Sequence, residues 1–233
     1  MEPELMAHRG NSALAPENTL AAFAKALETP SQWTELDVHL TADGEVIVMH
    51  DATVDRTTNG RGVIAEMTLA QIKALDAGSW FGPEFTNERV PTLAEVVDLV
   101  KDRIRLNVEI KSSADPESSR KVVEILRGGG VLEQSMISSF GLQAVLDVRQ
   151  HWDNPYLALI TGHAEDLATT IEHKLQFFNV HYQAVDEQLI AQAHEAGVGV
   201  CAWTIDDPAL WEPFAKMGLD IFCTNAPHLM PVQ

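Results

Sequence analysis

Two short stretches of this chain alternate polar and apolar residues in a way that concentrates acid. One reads Glu35-Leu36-Asp37-Val38-His39-Leu40, the other Asn107-Val108-Glu109-Ile110-Lys111. In extended backbone, alternate side chains share a face. Glu35, Asp37 and His39 therefore point one way along the first stretch, and Asn107, Glu109 and Lys111 share a face of the second. In a parallel sheet both faces are covered, so carboxylates pointing inward must be compensated. Three carboxylates converging with a lysine supply the oxygen ligands that a hard divalent cation takes, Mg2+ or Ca2+ rather than zinc. The plainer alternative is a buried Glu109–Lys111 ion pair with no metal.

Two histidines fall where they can serve such a site. His8-Arg9-Gly10 closes the first apolar run, and His50 follows Val-Ile-Val-Met and precedes Asp51. Imidazole titrates near neutrality, so a pair of them beside a carboxylate-bound metal suits in-line displacement at phosphorus. One takes a proton from the nucleophile and the other gives one to the leaving alkoxide. Arg9 offers a fork of donors to non-bridging phosphate oxygens, and Lys111 a point charge. Those local cations matter because the chain is acidic, with 34 Asp and Glu against 16 Lys and Arg and a formal net charge of −18. The same balance argues against nucleic acid as a partner, and otherwise reads as a surface that keeps the protein in solution.

The remaining candidates carry alternatives. His39 shares its strand with Asp37 and can act behind it, and His181, after Gln-Phe-Phe-Asn-Val, can line a pocket. Trp203 ends an apolar run and can pack on the substrate or on the rim. Trp80 and Phe81 either cover the site or fill a small local core. His151, His163, His173, His194 and His228 fall in helical or loop segments and read as surface or structural residues.

The elements that must hold these residues repeat a strand–helix unit. Strands are predicted at 5–8, 33–40, 104–111, 135–140, 156–160, 176–180, 198–204 and 219–224. Helices are predicted at 18–27, 93–100, 116–126, 142–150, 165–173, 186–196 and 208–217. Asp115 before Pro116 and Asp207 before Pro208 have the chemistry of helix N-caps, and Gly197 and Gly218 stand where helices should stop. Eight such units in 233 residues with 45% hydrophobic content fit a single (β/α)8 barrel, the TIM fold, over residues 1–233. A doubly wound open sheet is the competing arrangement. The repeat is interrupted once, by about 60 residues between the second and third predicted strands. Within them residues 43–91 read as an insertion on the catalytic face rather than an independent domain, with a short strand in Glu-Val-Ile-Val-Met-His-Asp after the turn at Ala42-Asp43-Gly44. Cys201 and Cys223 sit in apolar runs and read as buried free thiols. No leader or membrane span is visible, which makes the cytoplasm the expected location.

Taken in order, the motifs resemble the glycerophosphodiester phosphodiesterases, especially compact cytosolic bacterial members. They begin with His8-Arg9-Gly10, Pro16-Glu17-Asn18-Thr19 and Glu35-Leu36-Asp37-Val38 running to Asp43-Gly44. His50-Asp51, Asp55-Arg56-Thr57-Thr58-Asn59-Gly60 with Gly62, and Asp76-Ala77-Gly78-Ser79-Trp80 follow. The series closes with Glu109-Ile110-Lys111, Ser138-Ser139-Phe140, Trp203-Thr204 and Gly218-Leu219-Asp220 leading to Thr224-Asn225. The resemblance spans essentially the whole chain. It implies a TIM barrel with the insertion after strand two and a divalent metal on Glu35, Asp37 and Glu109. It also implies His8 and His50 as catalytic acid and base, with Arg9 and Lys111 on phosphate. One departure is Asn225, where many relatives carry Asp, so an electrostatic role for that position is expected to be weaker here.

The activity so implied is hydrolysis of a small-molecule glycerophosphodiester to sn-glycerol 3-phosphate and an alcohol. Attack by water and attack by the substrate's own 2-hydroxyl are both compatible with these residues. Three rival readings are a lysophospholipase D acting on longer lipids, a metal-dependent barrel sugar isomerase and a non-catalytic phosphodiester-binding module. The first needs an amphipathic basic surface that the sequence does not show, and the other two make poor use of paired histidines.

Overall fold

A computed structural model of the chain describes residues 2–111, 116–153 and 155–230. Eight strands run parallel: β1 (Glu4–Ala7), β2 (Trp33–Leu40), β4 (Arg105–Ile110), β5 (Ser135–Ser139), β6 (Tyr156–Thr161), β7 (Phe177–His181), β8 (Gly199–Trp203) and β9 (Ile221–Thr224). β1 pairs with both β9 and β2, so the ring closes. That pairing settles the alternative of an open doubly wound sheet: the fold is a closed parallel barrel surrounded by helices.

Helices α1 (Leu20–Ala26), α3 (Leu93–Val100), α4 (Pro116–Gly129), α5 (Leu142–Val148), α6 (Leu167–Glu172), α7 (Glu187–Glu195) and α8 (Trp211–Met217) cover the strands. The outward faces of the strands, such as Leu36, Val38, Val108 and Ile110, bury against Val96, Val97, Val122 and Leu126 of α3 and α4. Each such side chain stabilises the fold by about 1.5–3 kcal/mol relative to exposure. A second layer joins Phe178, Val180 and Val200 to Ile190 and Phe214. Inside the barrel lie Met6, Trp33, Met136, Ala158, Cys201 and Cys223, and both thiols are free and buried. Asp207 caps through Ala209 N with Pro208 behind it, and Gly218 ends α8 at φ +90°, both as predicted. The proposed cap Asp115 lies outside the described residues.

The segment between β2 and β4 departs from the repeat. Gly44, at φ +78°, turns the chain so that β3 (Val46–Val48) runs antiparallel on β2, Val38 opposite Val48. A short helix, α2 (Leu69–Lys73), follows, opened by a capping box of Thr68 and Gln71. These pieces pack on their own aliphatic cluster of Ile47, Met49, Val54, Ile64, Ile72, Ala77 and Val90. Trp80, Phe81 and Phe85 instead stack edge to face, and Trp80 stays exposed, so the local core is aliphatic.

Candidate active site

β2 and β4 carry the acid that alternation predicts, beside the C-terminal end of β1. Strand register sets Asp37 beside Glu109 and Glu35 beside Asn107. Glu35, Asp37 and Glu109 are buried, and each offers an oxygen within 4.8 Å of the others. Among the described residues, Glu35 Oε1, Asp37 Oδ1 and Glu109 Oε1 accept no hydrogen bond. Lys111 Nζ approaches Asp37 Oδ1 at 3.1 Å and Glu109 Oε1 at 2.7 Å, as charge contacts outside hydrogen-bond angles. Burial pushes Glu109 up to about 7, with the Asp37 charge adding to it. Burial also raises Glu35 well above the carboxylate range, again helped by Asp37 and Glu109. Burial acts on Asp37 the same way, but Lys111, Arg9, His50 and the Asn18 hydrogen bond outweigh it and hold Asp37 near 2. Three crowded buried carboxylates with unpartnered oxygens are a donor set for a hard dication, so the residues fit a metal.

The Pro16-Glu17-Asn18-Thr19 motif explains how this acid is held. Asn18 donates from Nδ2 to Asp37 Oδ2 at 2.7 Å and receives the Asp37 amide N–H. Thr19 caps α1. Glu17 receives Arg9 Nη1 at 2.9 Å. Arg9 itself sits at φ +56°, which turns its backbone N–H onto Glu35 Oε2 at 2.9 Å and brings its Nε within 3.3 Å of Asp37 Oδ2. The next residue, Gly10 at φ +80°, passes so close to helix α1 that a Cβ would stand 2.6 Å from the Ala22 carbonyl carbon. Only glycine fits there. Arg9 and Lys111, predicted as phosphate contacts, are thus directed at carboxylates here.

The two histidines line one pocket of about 100 Å³ together with Arg9, Glu35, Glu109 and Lys111. His8 Nδ1 lies 2.7 Å from Asn225 Oδ1. Asn225 donates from Nδ2 to Asp206 Oδ2 at 2.7 Å, which fixes the amide so that its carbonyl faces His8. A carbonyl only accepts, so His8 donates from Nδ1 and keeps a lone pair on Nε2, 3.9 Å from Glu35 Oε2. Burial, then the Arg9 charge, brings His8 down to about 4. His50 is held differently: its Nδ1 faces Asp51 Oδ1 at 2.7 Å. Arg56 clamps Asp51 with Nε and Nη2 at 2.8 and 2.9 Å and Glu17 with Nη1 and Nη2 at 2.8 Å each. Those hydrogen bonds hold Asp51 well below the carboxylate range. The expectation of a weaker role at position 225 takes a specific form: the amide orients His8, and the charge stands one bond further out, on Asp206.

Glu17, Asn18, Asp51, Arg56, Asp206 and Asn225 were not among the predicted site residues, although all but Asp206 stand in quoted motifs. His39 Nε2 meets the His50 carbonyl at 3.1 Å, behind the site rather than in it. Trp203 lines the pocket, donates from Nε1 to the Asn179 carbonyl at 3.1 Å and meets Phe140 and His181 edge to face. Phe140 and Ile160 complete this apolar wall. His194 is far from the site, paired with Asp220 at 2.8 Å.

The sequence profile of the glycerophosphoryl diester phosphodiesterase family matches residues 8–229, which takes in every residue of this site. The chain belongs to that family. A glycerophosphodiester phosphodiesterase of Caldanaerobacter subterraneus subsp. tengcongensis is 36% identical over 99% of this chain and 97% of its own. A putative glycerophosphodiester phosphodiesterase of Bacillus subtilis is 33% identical over 97% and 96%. The structure of an Oleispira antarctica phosphodiesterase in complex with the product sn-glycerol-3-phosphate superposes with a TM-score of 0.92 at 31% identity, over 97% of this chain and 94% of that one. The activity of the chain is that of a glycerophosphodiester phosphodiesterase. Among the described residues no helix is long and apolar enough to cross a membrane.

Proposed function

We propose that the chain hydrolyses glycerophosphodiesters to sn-glycerol 3-phosphate and an alcohol, with His8 as general base, His50 as general acid and Glu35, Asp37 and Glu109 holding one Mg2+ or Ca2+. The observation that carries this reading is the unequal support of the two imidazoles around one acidic cluster. His8, buried and bonded to a neutral amide, stays uncharged with a free Nε2, which suits proton abstraction. His50 faces the Asp51 carboxylate through Nδ1, which orients the ring for proton donation to the leaving alkoxide. A divalent cation on the three carboxylates would polarise the phosphoryl group. Arg9 and Lys111 border the same space and would turn their donors to the non-bridging oxygens. The product found in the Oleispira antarctica structure supports the choice of sn-glycerol 3-phosphate. On this reading residues 1–233 act as one barrel domain, with 43–91 part of the catalytic face because it supplies His50, Asp51 and Arg56.

The test is a panel of glycerophosphocholine, -ethanolamine, -glycerol and -inositol, each assayed for released glycerol 3-phosphate with Mg2+ and with Ca2+. At least one diester should yield glycerol 3-phosphate, and none doing so would sink the reading. A p-nitrophenyl leaving group, which needs no acid, should rescue His50→Ala but not His8→Ala. Equal rescue of both would reverse or remove the assignment.

A further inference from the structure

Asn179 stands at the centre of β7, and in the closed ring four steps separate β7 from β2 in either direction. It therefore faces the acidic cluster from across the barrel, between Ile160 and Cys201 in register. Its side chain is 3% exposed and lines the same pocket as His8 and His50. Yet among the described residues Asn179 Oδ1 accepts no hydrogen bond, and Nδ2 meets the Met136 sulfur at 3.8 Å. Asn107, the other amide in the pocket, is served: its Oδ1 accepts from Ser138 Oγ at 2.8 Å. Around Asn179 the wall is Phe140, Ile160, Cys201 and Trp203, and the Trp203 N–H already goes to the Asn179 backbone carbonyl. A buried carboxamide left without a partner is costly unless something that enters the pocket supplies one.

We propose that Asn179 reads the glycerol moiety by hydrogen bonding its terminal hydroxyl, the one farthest from phosphorus. This rests on the glycerophosphodiester reading above. The phosphate must face the carboxylates, Arg9 and Lys111 on β1, β2 and β4, which leaves the far end of the three-carbon chain directed at β7. The 2-hydroxyl, next to the ester carbon, stays near the reacting phosphorus. A hydroxyl both donates and accepts, so it satisfies the carboxamide in either orientation of its oxygen and nitrogen. Phe140, Ile160 and Trp203 cover the carbon skeleton.

The experiment compares glycerophosphocholine with the diester built on propane-1,2-diol, which lacks only the terminal hydroxyl and keeps the 2-hydroxyl. Wild type should lose about tenfold to a hundredfold in kcat/KM on the deoxy substrate, the usual consequence of leaving a buried polar group unpaired. Asn179→Leu should lose a comparable factor on glycerophosphocholine and little on the deoxy substrate, so that discrimination disappears. Equal turnover of both diesters by wild type overturns the inference without any variant, and so does an Asn179→Leu protein that still discriminates. If the leucine variant does not fold, Asn179→Ser is read in its place. A wild type inactive on both diesters sinks the parent reading, and this inference with it.

Discussion

Acid collects at both ends of the barrel, but only one end leaves it unsatisfied. At the N-terminal end, Glu4 receives Trp33 Nε1 at 2.6 Å and pairs with Arg105 at 2.5 Å. Asp220 there accepts from His194 Nε2 and Val200 N at 2.8 and 2.7 Å. The groove at that end is large, about 770 Å³, against about 100 Å³ at the mouth. At the mouth, by contrast, Glu35, Asp37 and Glu109 are all buried, and burial together with the Asp37 charge raises the proton affinity of Glu35 and Glu109. Five of the six buried side-chain polar atoms without hydrogen-bond partners among the described residues belong to the mouth: Arg9 Nε, Glu35 Oε1, Asp37 Oδ1, Glu109 Oε1 and Asn179 Oδ1. Size does not locate the chemistry. A cluster of unpartnered buried polar groups does, because gathering several of them in one place is costly unless a ligand satisfies them.

The sharpest way to break this comparison is to remove the ligand. EDTA should abolish turnover, with Mg2+ or Ca2+ restoring it, and a chelator-insensitive enzyme would take the metal out of the account. Next comes the pair Asn225 and Asp206. Asp206→Asn should release the Asn225 amide and cost about tenfold to a hundredfold in kcat, with KM little changed, as loss of an orienting partner does. Asn225→Asp alone sets two carboxylates against each other at the present 2.7 Å contact and should also cost activity. Combined with Asp206→Asn, which transposes amide and carboxylate, it should restore turnover. A double variant no better than the singles would contradict the relay.

The pH dependence of the metal-free protein is a smaller effect with a definite sign. Glu109 sits near 7 when folded against an ordinary 4.5, so the folded state binds that proton more tightly than the unfolded chain does. Its contribution is full below the ordinary value and is lost as pH rises through about 7, and Glu35 acts in the same direction. Calorimetry should show metal-free Tm falling between about pH 5 and 7.5 and the gain on adding Mg2+ or Ca2+ growing over that interval. A gain independent of pH would contradict the charge account. Smallest is the other end: Glu4→Gln should change stability by no more than about 1 kcal/mol and leave kcat untouched, since its ion pair is solvent-screened.

Much of this was legible in the sequence because it is local. Period-two alternation put Glu35 and Asp37 on one face of β2 and Glu109 on the matching face of β4. Strand–helix alternation gave the barrel, and Val46–Val48 after the Asp43-Gly44 turn gave β3. The relays were not legible, because their partners are far apart in the chain. His8 meets Asn225 across 217 positions, and Arg56 meets Glu17 across 39. Closure by β1 onto β2 and β9 creates the first contact, and the folding of 43–91 over the mouth creates the second. Asn179 sat inside a predicted strand, Gln176 to Val180, with nothing to mark its side chain as unpaired. The Trp80–Phe81 pair misled for the opposite reason: large apolar residues suggest a core, but the local cluster closes with aliphatic residues.

The central claim is that His8 and His50 perform the proton transfers beside the acidic cluster. The most direct measurement is phosphorus NMR of glycerophosphocholine turnover by wild type, His8→Ala and His50→Ala, each first shown to be folded by circular dichroism. Wild type should yield glycerol 3-phosphate, and either variant should lose about 10²–10⁴ in rate. Near-normal turnover by a folded His8→Ala or His50→Ala protein would contradict that claim.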